Sequence, residues 1–219
     1  MEKTARLARA AAAQGARRFV FLSTIKVHGE ETEGAPFLPG SAAAPRDDYS
    51  RSKWRAEEAV REIATRAGMP WVVIRAPLVY GRGARGNFRA LCRLADTPLW
   101  LPFAALRNRR SLVHVDDLAE AMVLAALGEG AEGRVFLAAH PEAVSTAQLV
   151  TTMRAVLGRP GRLAAVPPAV LEGLAGVVGR RAWMQRLTRS LEADPSDLLR
   201  DLGWTPRYRL EPGLREALA

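Results

Sequence analysis

Tyr49-Ser50-Arg51-Ser52-Lys53 is the spacing in this chain that most directly suggests chemistry. On a helix, positions i and i+4 share a face, so the ammonium of Lys53 is expected near the phenol of Tyr49. A cation there favours the phenolate and lowers the tyrosine pKa from about 10, which would make Tyr49 an acid/base near neutral pH. The chain has only three Tyr and three Lys, so this pairing is uncommon by chance. Ser23 and Thr24 stand about 25 residues earlier, at the end of an apolar run. Ligands of parallel α/β sheets sit at the carboxyl ends of strands. A hydroxyl at that place could therefore bond the same substrate oxygen that Tyr49 protonates or deprotonates.

The elements that must position these groups follow from composition and pattern. Residues 3–14 have high helix propensity and stop at Gly15. Residues 18–23 (RFVFLS) and 71–75 (WVVIR) read as buried strands. Between them lie a Gly- and Pro-bearing loop, from His28 to about Arg46, and a helix over 49–66 capped by Asp47 or Asp48. Beyond a Gly- and Arg-dense loop at 76–86, a helix is expected at 87–95 and a short strand at 111–113. A helix over 115–127 and a strand at 134–138 follow. Nearly continuous apolar strands alternating with helices specify a parallel sheet covered on both faces, hence an α/β fold. From His140 onward, short helices broken by Pro and Gly suggest a second, smaller and mainly helical lobe. The division expected is 1–138 and 139–219, with 81–113 contributing to the substrate side.

Composition narrows the function classes. The chain has 219 residues, 48% hydrophobic and 25% charged, which suits a folded core. The single cysteine, Cys92, excludes a disulfide framework and a cysteine-based zinc site. His114 and His140 lack partners at metal-ligand spacing, so no metal is expected. A net charge of +9 could attract nucleic acid, but 29 of the 32 basic residues are scattered arginines without a recognition motif, so nucleic acid is not expected as a partner. No run of 18 apolar residues exists to span a membrane. Two readings stay open for 163–178, followed by Arg180-Arg181-Ala182-Trp183: packing into the lobe, or lying on a lipid surface.

Four segments in order, 19–29 (FVFLSTIKVHG), 49–53 (YSRSK), 73–81 (VIRAPLVYG) and 110–118 (RSLVHVDDL), together with Leu202-Gly203-Trp204-Thr205-Pro206, carry a family resemblance. The chain resembles the extended short-chain dehydrogenase/reductases, specifically the NAD-dependent nucleotide-sugar epimerases, dehydratases and reductases. The resemblance implies the C-terminal part of a doubly wound, Rossmann-type sheet with a substrate lobe. It implies Thr24, Tyr49 and Lys53 as catalytic residues and Tyr49, Lys53 and Pro77 on the cofactor side. Thr24, Asn87 and Arg110 would meet the substrate, with Arg110 on its diphosphate. It also implies NAD, with NADP open, a UDP-hexose or UDP-hexosamine substrate, a homodimer through 3–14 and 49–66, and a cytoplasmic enzyme of polysaccharide synthesis.

Three departures shape the expectation. Thr24 precedes Ile25-Lys26 where the family's dehydratases carry an acidic pair, which argues against dehydration. His28 stands where tyrosine is frequent. No Gly-rich turn follows an early strand, and Gly81-Arg82-Gly83 is assigned to the substrate-side loop. Roughly 80–100 residues of cofactor-binding βαβ units are therefore expected upstream, at about 30 residues per unit. Hydride transfer at C4 of a UDP-hexose, reduction of a 4-keto-hexosamine, and a remnant without catalysis all remain open.

Overall fold

The computed structural model describes residues 2–84 and 86–218; Met1, Arg85 and Ala219 lie outside the described residues, as do the expectations that fall on them. Helix α1 spans Glu2–Ala13, an alanine-rich stretch with no helix breaker before Gly15. Strand β1 (Phe19–Thr24) runs into a 3-10 turn at Ile25–Val27. Helix α2 spans Asp48–Arg66. Of the two candidate caps, Asp47 is the one used. Its carboxylate accepts from the Ser50 amide at 2.7 Å while the Ser50 hydroxyl accepts from the Asp47 amide at 3.2 Å, closing a capping box. Strand β2 (Trp71–Ala76) follows, then β3 (Leu78–Tyr80) and helix α3 (Asn87–Ala95).

Strand β3 corrects the expectation of a loop over 76–86. Three apolar residues beside a run of glycines and arginines carry no periodicity of their own. They become a strand only by pairing in parallel with β4 (Leu112–His114), with Leu78 opposite Leu112 and Tyr80 opposite His114. Helix α4 spans Val115–Leu127 and β5 spans Arg134–Leu137. The main sheet is parallel, in the order β1-β2-β5. Central strand β2 is buried on both faces, as its continuous apolar sequence requires. Val72, Ile74 and Ala76 face α4 in one apolar core, whereas Arg75 points to α2.

The remaining elements are helical: α5 (Thr146–Val156), α6 (Pro168–Val177), α7 (Arg181–Thr188), α8 (Ser196–Leu202) and α9 (Leu210–Leu218). Packing does not follow chain order. Tyr80, Phe88, Leu91, Leu106 and Leu112 share a core with Leu149, Met153, Leu171 and Leu214. Leu198 and Trp204 return to the core beneath the main sheet. The Trp204 indole donates to the Asp117 carbonyl at 3.0 Å, and the Asp117 carboxylate accepts from the Arg207 amide at 2.9 Å and the Tyr208 amide at 3.2 Å. The motif His114-Val115-Asp116-Asp117 thus ties the C-terminal segment to the first turn of α4.

One buried polar network joins the elements that carry Thr24, Tyr49 and Pro77. Arg75 of β2 makes a bidentate pair with Glu57 of α2, at 2.6 and 3.1 Å, and donates to His28 Nε2 at 2.8 Å and the Pro39 carbonyl at 3.1 Å. All three side chains are essentially inaccessible to solvent. Because Arg75 only donates, Nε2 of His28 is the acceptor, and Nδ1–H donates to the Ala42 carbonyl at 3.3 Å. His28 is therefore a neutral packing residue, stacked on Phe37 with ring centroids 5.1 Å apart. Burial, and then the adjacent Arg75 charge, hold its pKa below the ordinary 6.5.

Two outcomes are expected. Arg75→Met leaves the buried Glu57 carboxylate with the longer Arg61 contact, at 3.4 Å, in place of its bidentate partner and should lower unfolding free energy by about 3 kcal/mol in urea titrations, whereas Glu57→Leu/Arg75→Met together should recover most of that loss. His28 binds its proton more weakly folded than unfolded, so its contribution is present above pH 6.5 and is lost as pH falls below that value. Replacing it by Gln should flatten the decline in thermal stability across that range.

Candidate active site

Ladder register brings the chemistry to one end of the sheet. Thr24 lies opposite Ala76, so Thr24 and Pro77 stand side by side at the carboxyl ends of β1 and β2. Asp47 caps α2 at the same end, which places Tyr49 in its first turn. A cavity of about 430 Å³ opens there, and Thr24, Tyr49, Pro77, Asn87 and Arg110 all line it. Five of the six residues expected from sequence therefore meet in one place.

Thr24 is buried, and its Oγ1 accepts from the Lys26 amide at 3.3 Å as the cap of the 3-10 turn. That contact occupies a lone pair and leaves the hydroxyl hydrogen to donate. The neighbouring Ser23 hydroxyl is buried and makes no hydrogen bond among the described residues. Gly81 needs its positive φ and its lack of a side chain to turn the chain from β3 towards α3: a Cβ there would lie 2.4 Å from Val115 Cγ1. Helix α3 then begins beside the cavity with Gly86 as a cap that has no side chain, so the cap itself supplies no side-chain acceptor to its first amides. Amides so placed, next to Asn87, favour an anion.

Arg110 is held on both sides. Its amide donates to the Val144 carbonyl at 2.8 Å, and its Nη1 donates to the Arg189 carbonyl at 3.0 Å. Desolvation, reinforced by the like charge of Arg186, pushes its pKa down to about 10. The guanidinium remains charged at neutral pH and has no carboxylate within salt-bridge distance among the described residues.

Lys53 departs from expectation. Its ammonium donates to the Leu22 carbonyl at 2.9 Å and lies 4.9 Å from the Phe21 ring centroid, outside the cavity lining. Among the described residues strand β1 pairs with β2 alone, and a long side chain from α2 reaches the carbonyl so left. Tyr49 is accordingly not shifted down by Lys53. Partial desolvation raises its pKa above 10, Lys26 pulls it back, and Asp47 pushes it up. At neutral pH the phenol carries its proton.

Lys26, Glu30, Arg82 and Arg186 also line the cavity and were not among the expected site residues. Lys26 pairs with Glu30 at 2.9 Å and with Asp47, and Arg186 of α7 approaches Asp47 at 3.8 Å. Partial burial pushes the Asp47 carboxyl up, but hydrogen bonds from Lys26 and Ser50 outweigh it and hold the pKa well below the usual carboxylate range. Lys26 stands at no i, i+4 spacing from a tyrosine, so the pattern that marks Lys53 does not mark it. Arg186, one of many arginines, carried no signal in the sequence. Among the described residues, no cluster of three or more His, Cys, Asp or Glu could hold a metal.

Residues 1–139 match the model of the NAD dependent epimerase/dehydratase family. A UDP-glucose 4-epimerase of Vibrio cholerae is 36% identical over 97% of this chain and 66% of its own length. A dTDP-4-dehydrorhamnose reductase of Mycobacterium tuberculosis is 35% identical over 64% of this chain and 45% of its own length. The structure of a UDP-glucose 4-epimerase of Thermotoga maritima with UDP-glucose superposes with a TM-score of 0.77 at 22% identity, over 98% of this chain and 66% of that one. RMD of Pseudomonas aeruginosa, solved with NADPH, gives 0.78 at 18% identity, over 98% and 70%. These two likenesses establish the Rossmann-type fold, of which the chain spans 66% to 70% of the neighbours' length. With the family model covering more than half of its residues, the chain belongs to the NAD dependent epimerase/dehydratase family.

Proposed function

We propose that this chain carries the proton-transfer and nucleotide-sugar-binding part of an NAD(P)-dependent enzyme that acts at a hexose carbon, C4 of a UDP-hexose. The observation that carries the reading is the shared cavity. A hydroxyl donor and a phenol stand at the strand ends, and Arg82, Arg110 and Arg186 join Asn87 and the start of α3 along the rest of the lining. Sugar hydroxyls suit the first group, and a diphosphate suits the second.

In this reading Arg110 and Asn87 hold the nucleotide end and orient the hexose towards Thr24 and Tyr49. Thr24 donates a hydrogen bond to the reacting oxygen. Tyr49 gives its proton to that oxygen when a 4-keto sugar is reduced and recovers it when the alcohol is oxidised. NAD(P), when bound, supplies or takes the hydride. Its ribose side fits what is present: Lys53 has its ammonium on the Leu22 carbonyl of β1, and Pro77, the residue after β2, has no N–H. No Gly-rich turn follows an early strand of this sequence, so no pyrophosphate cradle is assigned to these residues.

The protonated phenol favours the reductive direction, which keeps a UDP-4-keto-hexosamine reductase beside the 4-epimerase. Lys53 on Leu22 favours a chain that binds the sugar nucleotide without turning it over. Pairing of two copies through the outer faces of α1 and α2 belongs to the same proposal, as do the cytoplasmic location and the role in polysaccharide synthesis.

Calorimetric titration should show UDP-glucose binding where free glucose does not, and Arg110→Ala should weaken it about tenfold or more, the worth of a charge-assisted bond. Equal binding of glucose and UDP-glucose would sink the reading. Lys26→Met removes the cation that lowers the Tyr49 pKa, so phenolate absorbance, taken as the difference from Tyr49→Phe, should move to higher pH. An unchanged titration would show that Lys26 does not act on the phenol.

A further inference from the structure

Helix α6 is divided sharply by chemistry. Leu171 and Ala175, one turn apart, are buried against the lobe. Its single charged residue, Glu172, turns inward. Glu172 accepts from Thr188 at 2.6 Å and Gln185 at 3.4 Å, and pairs with Arg189 at 3.5 Å. The outward face keeps only apolar side chains. Val170, Leu174, Val177 and Val178 are 48%, 64%, 86% and 69% exposed, at the spacing of one helical stripe. Arg180 and Arg181, both exposed, follow directly at the carboxyl end. Half-buried Trp183 comes next, on α7, where it lines a small cleft shared with Arg186, Asn87 and Arg110.

An exposed apolar stripe of this kind marks a contact surface. Its occupant must satisfy both the stripe and two adjacent cations, and neither α6 nor α7 presents an acidic residue outward to do so. A second copy is a poor complement. A two-fold contact sets the same patch against itself and brings the arginine pairs of both copies to one apolar interface. An anionic lipid surface supplies acyl chains for the stripe and phosphate for the arginines at once. Ten residues of helix extend only about 15 Å, and no helix among the described residues is long and apolar enough to cross a membrane. The geometry therefore fits a helix lying in the interface plane.

We propose that the α6 stripe, flanked by Arg180 and Arg181, docks this chain on an anionic lipid surface, with α7 linking that surface to the wall of the active-site cavity.

The whole chain is tested by co-sedimentation with phosphatidylcholine vesicles, with and without phosphatidylglycerol. Wild-type chain should sediment with the phosphatidylglycerol vesicles. Leu174→Glu/Val177→Glu changes two well-exposed positions and should keep its circular dichroism while its partition coefficient falls at least tenfold. Arg180→Ala/Arg181→Ala should lose the preference for phosphatidylglycerol. Absence of wild-type binding overturns the proposal. So does equal binding by the glutamate variant, which would reduce the interaction to net charge. A retained preference in the alanine variant removes the anionic pairing. A dimer that the glutamate variant dissociates, with no vesicle binding, would assign the stripe to a second copy instead.

Discussion

The Glu57–Arg75–His28 network holds the parts of the active site in register. Thr24, Tyr49 and Pro77 come from three places: the end of β1, the start of α2 and the residue just after β2. Backbone ladders fix β1 against β2, but only side chains fix α2 and the loop after Thr24 against both. Arg75 does this from the centre of the sheet, with a carboxylate from α2 and an imidazole from the loop as partners. A buried guanidinium tolerates little displacement, since any partner lost leaves a charge without water. The neutral tautomer of His28 follows from the same constraint. The position where tyrosine is frequent in the family thus carries a residue that completes a structural bond.

A second set of charges closes the cavity from the lobe side. Segment 189–194 runs back to the loop at 28–46, with Phe37 hydrogen-bonded to Glu192 and Asp194 and Arg189 paired with Glu31. Arg110 hangs its guanidinium on the Arg189 carbonyl. Asp47 caps α2, anchors Lys26 and faces Arg186, so one carboxylate links the sheet unit to α7. The cations around the cavity outnumber the acids that compensate them, which is the electrostatic setting a diphosphate requires.

Much of this was legible in the residues themselves. Helices over 87–95 and 115–127 and the parallel sheet followed from periodicity and capping, because those signals lie within a few residues of one another. Thr24, Tyr49, Pro77, Asn87 and Arg110 were recognisable by motif, and they share a cavity. Strand β3 was hidden, since three residues beside glycines acquire strand geometry only from β4, some thirty residues away. Arg186 was hidden for the same reason: its place beside Arg110 and Asp47 depends on how α7 packs.

Sequence by itself determined the fold class, the strand and helix grammar and five of the residues that line the cavity, because local pattern and residue type are written along the chain. Tertiary structure alone decided where the charges fall. Tyr49 and Lys53 keep the i, i+4 spacing that would pair them, yet Lys53 turns to the Leu22 carbonyl and Lys26 is the lysine that shares the cavity with Tyr49. Spacing fixes which side chains share a helix face; the strands and loops packed against that face decide which charges meet.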